Sequence, residues 1–161
     1  MNEKFVARMK DPNVVSDTRT LADFVQIWCD GHHGDRVRHT PKTEGAQIGI
    51  YRRGRLEICD ECEAHLAYAE KRRAYCPLDP KPFCAYCEIH CYKPDESEWQ
   101  RQMMRYSGPK SWRKGHAIDG IKHVIDGRKY RKQAASRVRD ATTTITAITP
   151  PVPTNRQEDT P

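Results

Sequence analysis

Seven cysteines and seven histidines stand in a chain of 161 residues. Four of the cysteines form one run, Cys76-x7-Cys84-x2-Cys87-x3-Cys91. Cys84 and Cys87 are a Cys-x-x-Cys pair, a spacing that lets one turn aim two thiolates at one ion. Pro77, Pro80 and Pro82 stiffen the loop and keep it from being helical. A loop with little apolar content gains order from ligation, because metal-binding energy becomes folding energy. Four thiolates suit either zinc or an iron–sulfur cluster, and spacing alone leaves the two even. The x2 and x3 intervals lack the second Cys-x-x-Cys of many zinc ribbons, and cluster proteins tolerate such uneven spacing. Phe83, Tyr86 and Tyr92 could shield a cluster from solvent, or serve simply as core aromatics.

A second set lies upstream. Cys29-x2-His32-His33 and Cys59-x2-Cys62 together offer three thiolates and an imidazole, a donor mixture that a borderline ion such as zinc accepts. His65, three residues after Cys62, is a fallback ligand on the same helix face. His90 and Tyr92 flank Cys91, and His90 could ligate or hydrogen-bond a cysteinyl sulfur from outside the ligand set. One centre cannot take all seven cysteines. Cys62 and Cys76 are separated by a predicted helix, which at 1.5 Å per residue puts them roughly 20 Å apart. The cysteines therefore divide into three plus four, with a histidine completing the smaller set.

The elements that must hold these residues are helices. Leu21, Phe24, Val25 and Trp28 follow a helical period, with Ser16 or Asp17 as cap, Cys29 at the end and Gly31 as the stop. A second helix is expected over about Asp60 to Ala74, with Leu66 and Ala69 facing inward. A third starts after Pro94 with acidic Asp95, Glu96 and Glu98 in its first turns. Its stripe is Trp99, Met103 and Tyr106, and Gly108 and Pro109 end it. A short fourth carries Ile118, Ile121 and Ile125 and stops at Gly127. The expected fold is mainly α: three or four helices around Trp28, Leu66, Trp99, Met103 and Ile121, with an irregular cysteine loop. Residues 1–15 are expected to be flexible and 16–127 to form the domain. Residues 36–55 read as an insertion loop, with a weakly signalled hairpin across Arg53-Gly54 that involves Leu56 and Ile58. Residues 128–161 read as a basic, then Thr/Pro-rich, disordered tail.

The composition fits this lean design. Hydrophobic residues make up 37% and charged residues 31%, so a metal staple has a core to supplement. No apolar run could span a bilayer and Met1 to Lys10 has no signal-peptide core, so the expected location is the cytoplasm, without membrane contact. In a reducing compartment such cysteines are metal ligands or redox groups rather than disulfides. The net charge of +6, from 28 Lys+Arg against 22 Asp+Glu, permits an anionic partner without requiring one.

Cys76-Pro77, then Lys81-Pro82-x-Cys84-x-x-Cys87-x-x-His90-Cys91-Tyr92-Lys93-Pro94, then Met104-Arg105-Tyr106-Ser107-Gly108-Pro109-Lys110 resemble the bacterial nitrous oxide-stimulated promoter family. The resemblance is close over residues 59–110 and looser over 20–127. It implies a role in the response to nitric oxide and nitrosative stress. It also implies that Cys76, Cys84, Cys87 and Cys91 hold an iron–sulfur cluster, expected as 4Fe-4S. Glu88 stands where the family usually has proline, and Lys110-Ser111 where it tends to have Arg-Met.

The expected function is an iron–sulfur sensor or accessory protein of nitrosative stress. The alternative is a zinc-stabilised module that binds nucleic acid or protein. Arg101, Arg105 and Lys110, close to Cys91 in sequence, are candidate contacts for nucleic acid or another anion. No nucleophile–base pattern, phosphate-binding glycine loop or supported acid pair points to an enzyme.

Overall fold

The computed structural model describes residues 2–51, 56–78, 87, 89–114, 128 and 132. The chain divides into Met1–His123 and Val124–Pro161. Only Arg128 and Lys132, both helical and exposed, are described in the second unit. The fourth expected helix, the Arg53-Gly54 turn and the tail lie outside the described residues, those two positions apart.

The described residues are mainly helical. Helix α1 is Glu3–Arg8, α2 Pro12–His32, α3 Glu44–Gln47, α4 Asp60–Ala74 and α5 Pro94–Lys110. None is long and apolar enough to cross a membrane. The second and third periodic segments form the helices expected of them, with differences at the ends.

Helix α2 starts earlier than Ser16 or Asp17. Asp11 is its cap, with Oδ1 accepting from Asn13 N at 2.8 Å, and Pro12 takes the first turn, where no backbone donor is needed. Residues 1–15, expected to be flexible, contribute to a small core of Phe5, Met9, Val14, Ile50 and Ala74. Asn2 caps α1, and Arg8 donates to Ala74 O (2.9 Å) and Cys76 O (3.3 Å), satisfying carbonyls at the end of α4.

Gly31 does not stop α2, which runs on to His32. A Cβ at Gly31 would fall 1.9 Å from Tyr106 Oη. The glycine admits the α5 tyrosine. Gly108 and Pro109 likewise do not end α5, which continues through Lys110 and tightens into a 3-10 turn at Ser111–Lys114. Ser111 Oγ donates to Gly108 O at 2.7 Å there. The Tyr106-Ser107 run forms one end of the α2–α5 interface: Tyr106 fills the gap at Gly31, and Ser107 Oγ donates to Phe24 O at 2.8 Å.

The main core joins Leu21, Ala22, Val25 and Cys29 of α2 to Cys62, Leu66 and Ala69 of α4 and Met103 of α5, with Leu56 and Ile58 alongside. Trp28 and Trp99 are partly buried against it. Within the described part of segment 36–55, Thr43, Gly45 and Ile50 are buried, Ile50 in the small core. Glu70, itself 1% exposed, accepts from Thr43 Oγ1 (2.6 Å), Gly45 N (3.1 Å) and the Tyr51 hydroxyl. Burial raises the Glu70 pKa and, together with the Glu70 charge, that of Tyr51. Gly45 must be small, because a Cβ there would lie 2.9 Å from Glu70 Oε1. Ile58, expected in a hairpin across Arg53-Gly54, instead forms an antiparallel bridge with His39.

Candidate metal centre

The end of α2 meets the start of α4. Cys29 lies in the last turn of α2, and His33 is its C-cap, with its N–H donating to Cys29 O at 2.9 Å. Cys59 is the N-cap of α4, and Cys62 lies in that helix's first turn. Three devices hold the two ends together. Gln26 grips the backbone of Glu57 both ways, Nε2 to Glu57 O at 3.0 Å and Glu57 N to Gln26 Oε1 at 2.7 Å. The His39–Ile58 bridge fixes the segment leading into Cys59. Arg38 donates to Cys29 O (3.2 Å) and His33 O (3.4 Å), placing a cation and two hydrogen bonds at the C-terminal end of α2.

The result is a buried Cys3His cage. Cys29 and Cys62 are fully buried, Cys59 is 3% and His33 7% exposed. The four donor atoms of Cys29, His33, Cys59 and Cys62 all lie within 4.8 Å of one another. His33 Nδ1 is 3.2 Å from Cys62 Sγ and 3.3 Å from Cys59 Sγ. Around one tetrahedral ion, bonds of about 2.3 Å to sulfur and 2.0 Å to nitrogen give S···N separations of about 3.5 Å. The two S···N distances lie within a few tenths of an ångström of that value, and the cage could hold a metal ion.

The electrostatics agree with that donor set. Burial raises the Cys29 thiol, and burial with the neighbouring Cys29 and Cys59 raises Cys62. Burial would also raise Cys59, but hydrogen bonds from the Cys62 backbone, from the other two cysteines and from Arg36 outweigh it and hold that thiol below its ordinary value. Burial and the Arg36 charge lower His33, which favours the neutral, ligating imidazole. Three buried thiolates repel one another, and a divalent cation is the group that would let them ionise together.

The other predicted site residues fall as follows. His32 is outside the cage, its ring stacked on Trp28 at 3.8 Å. His65 is also spent elsewhere, stacked on Trp99 at 3.8 Å with Nδ1 2.8 Å from Glu96 Oε2. Cys84 lies outside the described residues. Cys76, Cys87 and Cys91 are half-buried, and among the described residues they do not form a group like the Cys29 cage. Helix α4 forms as expected between Cys62 and Cys76. His90 is exposed and adopts a left-handed φ of 44°, a strained turn immediately before Cys91. Tyr92 packs edge-on to Tyr68 at 5.5 Å. Of the candidate anion contacts, Arg101 is ion-paired with Glu98, Lys110 Nζ sits 3.1 Å over the Tyr106 ring, and Arg105 is exposed.

Sequence reasoning missed Arg36, Glu61, Arg38 and Gln26 around the cage, which are scattered in sequence and carry no motif. It also missed His39, Asp60 and Glu63, a second close group of potential ligands. There His39 Nε2 is 2.8 Å from Asp60 Oδ1, and Nδ1 is 3.5 Å from Glu63 Oε2 and 3.2 Å from Thr40 O. With Lys42 N donating to Glu63 Oε1 at 2.7 Å, this group ties segment 39–42 to α4.

The family model described as nitrous oxide-stimulated promoter matches residues 12–136. The chain belongs to that family. It is also 41% identical over 69 residues to the uncharacterized protein YgbA of Escherichia coli strain K12, an alignment that covers 42% of this chain and 57% of that protein. No solved structure matches the chain.

Proposed function

We propose that this is a two-centre metalloprotein acting as a sensor or accessory protein in the bacterial response to nitric oxide. The observation that carries the first centre is the gathering of four donor atoms within 4.8 Å in a buried pocket. That spread suits one ion. In a four-iron cluster each cysteine binds a different iron, so the donors stand further apart. Zinc is the ion for Cys29, His33, Cys59 and Cys62: it accepts mixed sulfur and nitrogen donors in tetrahedral geometry, and a closed set of four is the pattern of a structural site. There it staples α2 to α4.

The second centre is the iron–sulfur cluster at Cys76, Cys84, Cys87 and Cys91. Its support is the run of four cysteines in a proline-rich stretch of sequence and membership of the nitrous oxide-stimulated promoter family. Thiolate-bound iron supplies a redox-active group that nitric oxide attacks.

Anaerobic purification followed by zinc, iron and sulfide analysis tests both assignments. Cys62→Ser should lose about one equivalent of zinc, and Cys84→Ser should lose iron and sulfide while keeping the zinc. Parent protein without zinc would overturn the first centre. Iron and sulfide lost from Cys62→Ser but retained in Cys84→Ser would overturn the second.

A further inference from the structure

His33 reaches the cage through Nδ1, so that nitrogen must carry the lone pair and Nε2 the proton. Nothing in an isolated imidazole enforces this choice. A carboxylate beside Nε2 does, and metal-bound histidines commonly have one. In this chain Glu61 stands next to that place: its Oε1 is 4.0 Å from His33 Nε2, an ion-pair distance that a shift of about 1 Å would turn into a hydrogen bond.

Glu61 is fixed from two directions. It sits between Cys59 and Cys62 in the first turn of α4, so one turn supplies both sulfurs and the carboxylate. Its other oxygen, Oε2, accepts from Arg36 Nη1. Arg36 is itself held by the turn that follows α2, its backbone N donating to His33 O at 3.2 Å. Its guanidinium also faces Cys59. Arg36 therefore links the carboxylate behind the imidazole to a sulfur in front of it. Both side chains of the ion pair are nearly half exposed, at 43% and 47%. Pairs at such exposure add little to stability, so its position against two of the four donors is the more informative feature.

We propose that Glu61 and Arg36 are the positioning residues of the metal centre: Glu61 fixes the His33 tautomer and ring orientation, and Arg36 locks Glu61 in place. This rests on the reading of Cys29, His33, Cys59 and Cys62 as a single-ion site. It also explains how the end of α2 and the start of α4 present matched donors.

Zinc affinity of the full chain, measured by competition with a chromophoric chelator, tests the proposal. Glu61→Gln should weaken zinc binding by about 10- to 100-fold, the range typical for loss of such a partner. Arg36→Met should weaken it by a similar factor, and the double variant should lose little more, because Arg36 acts through Glu61. Asp60→Asn is the control: that carboxylate is on the same turn but faces His39, and its removal should leave zinc affinity within about twofold. Nitrogen NMR of the zinc-loaded parent should show His33 bound through Nδ1 and protonated at Nε2. Parent-like affinity in both Glu61→Gln and Arg36→Met, or His33 bound through Nε2, would overturn the proposal while leaving the zinc site standing. A parent that binds no zinc would overturn both. Should Glu61→Gln fail to fold, the Arg36→Met affinity and the parent NMR spectrum decide.

Discussion

Gly31→Ala reports directly on how the ligand-bearing end of α2 is held. A helix-interior Gly→Ala change is ordinarily stabilising by about 1 kcal/mol, because alanine has the better helix propensity. Here the new methyl would meet Tyr106 Oη at 1.9 Å, Cζ at 2.5 Å and Cε1 at 2.8 Å. To restore ordinary contact the ring must move by about 1.5 Å, well beyond what a packed core absorbs freely. The ring is not free to do so. It stands edge-on to Trp28 at 5.7 Å, lies 4.3 Å from His32, and carries Lys110 on its face. Overpacking of this kind costs about 1–3 kcal/mol. Taking about 2 kcal/mol for the clash and subtracting about 1 for propensity leaves a net loss of about 1 kcal/mol, or about 3 °C in Tm. In a Tyr106→Ala background the clash is gone, and the same Gly31→Ala change should stabilise by about 1 kcal/mol. The sign reversal corresponds to a coupling of about 2 kcal/mol, readable by urea unfolding of the four proteins at fixed zinc concentration. If Gly31→Ala stabilises the parent as much as it stabilises Tyr106→Ala, the glycine is not there to admit the tyrosine, and this account of the α2–α5 interface fails.

Three further outcomes follow from other parts of the fold. Zinc affinity should fall steeply with acid, because the raised Cys29 and Cys62 thiols give up their protons on binding; at least two protons mean a loss of at least about 100-fold per pH unit near neutrality, and a pH-independent affinity would contradict the thiolate site. The fold of the parent favours protonated Glu70, so its contribution is complete below the unfolded-chain pKa and is lost as pH rises through the raised folded value. Glu70→Gln should therefore flatten the decline in stability from acid toward neutral pH in urea titrations, and an unchanged slope would refute this. Gln26→Ala removes both hydrogen bonds to the Glu57 backbone and should cost about 2 kcal/mol in urea unfolding along with a measurable loss of zinc affinity; parent-like stability would show that the clasp does not hold the two helix ends.

What was legible in the sequence followed local periodicity. Helix α4 was readable in full, because alanines and charged helix formers fill it and Leu66 and Ala69 mark its inner face. The start of α5 at Pro94 was readable too, and α2 starts on a local signal, Asp11-Pro12, that its apolar period does not reach. The ends of α2 and α5 were not readable, because distant partners decide them. Gly31 reads as a helix stop until Tyr106, 75 positions later, takes up the space a side chain would need. Segment 36–55 reads as a polar excursion until Glu70 collects Thr43, Gly45 and Tyr51. No short window contains both halves of either contact.

The cage divides along the same line. Its residue types were visible, since two short Cys/His clusters contained all four donors. The choice between His32 and His33 was not, because it depends on where α2 stops. His32 is the last helical residue and its ring lies back on Trp28, one turn earlier, whereas His33 leaves the helical path and turns its Nδ1 to the sulfurs of α4. Two adjacent histidines thus have opposite uses: one packs the aromatic seam between α2 and α5, and the other closes the donor set. Replacing them singly should separate these roles. His32→Ala should lower stability with zinc stoichiometry intact, while His33→Ala should lose or sharply weaken zinc. Equal zinc loss from the two would mean that the end of α2 is not where this structure puts it.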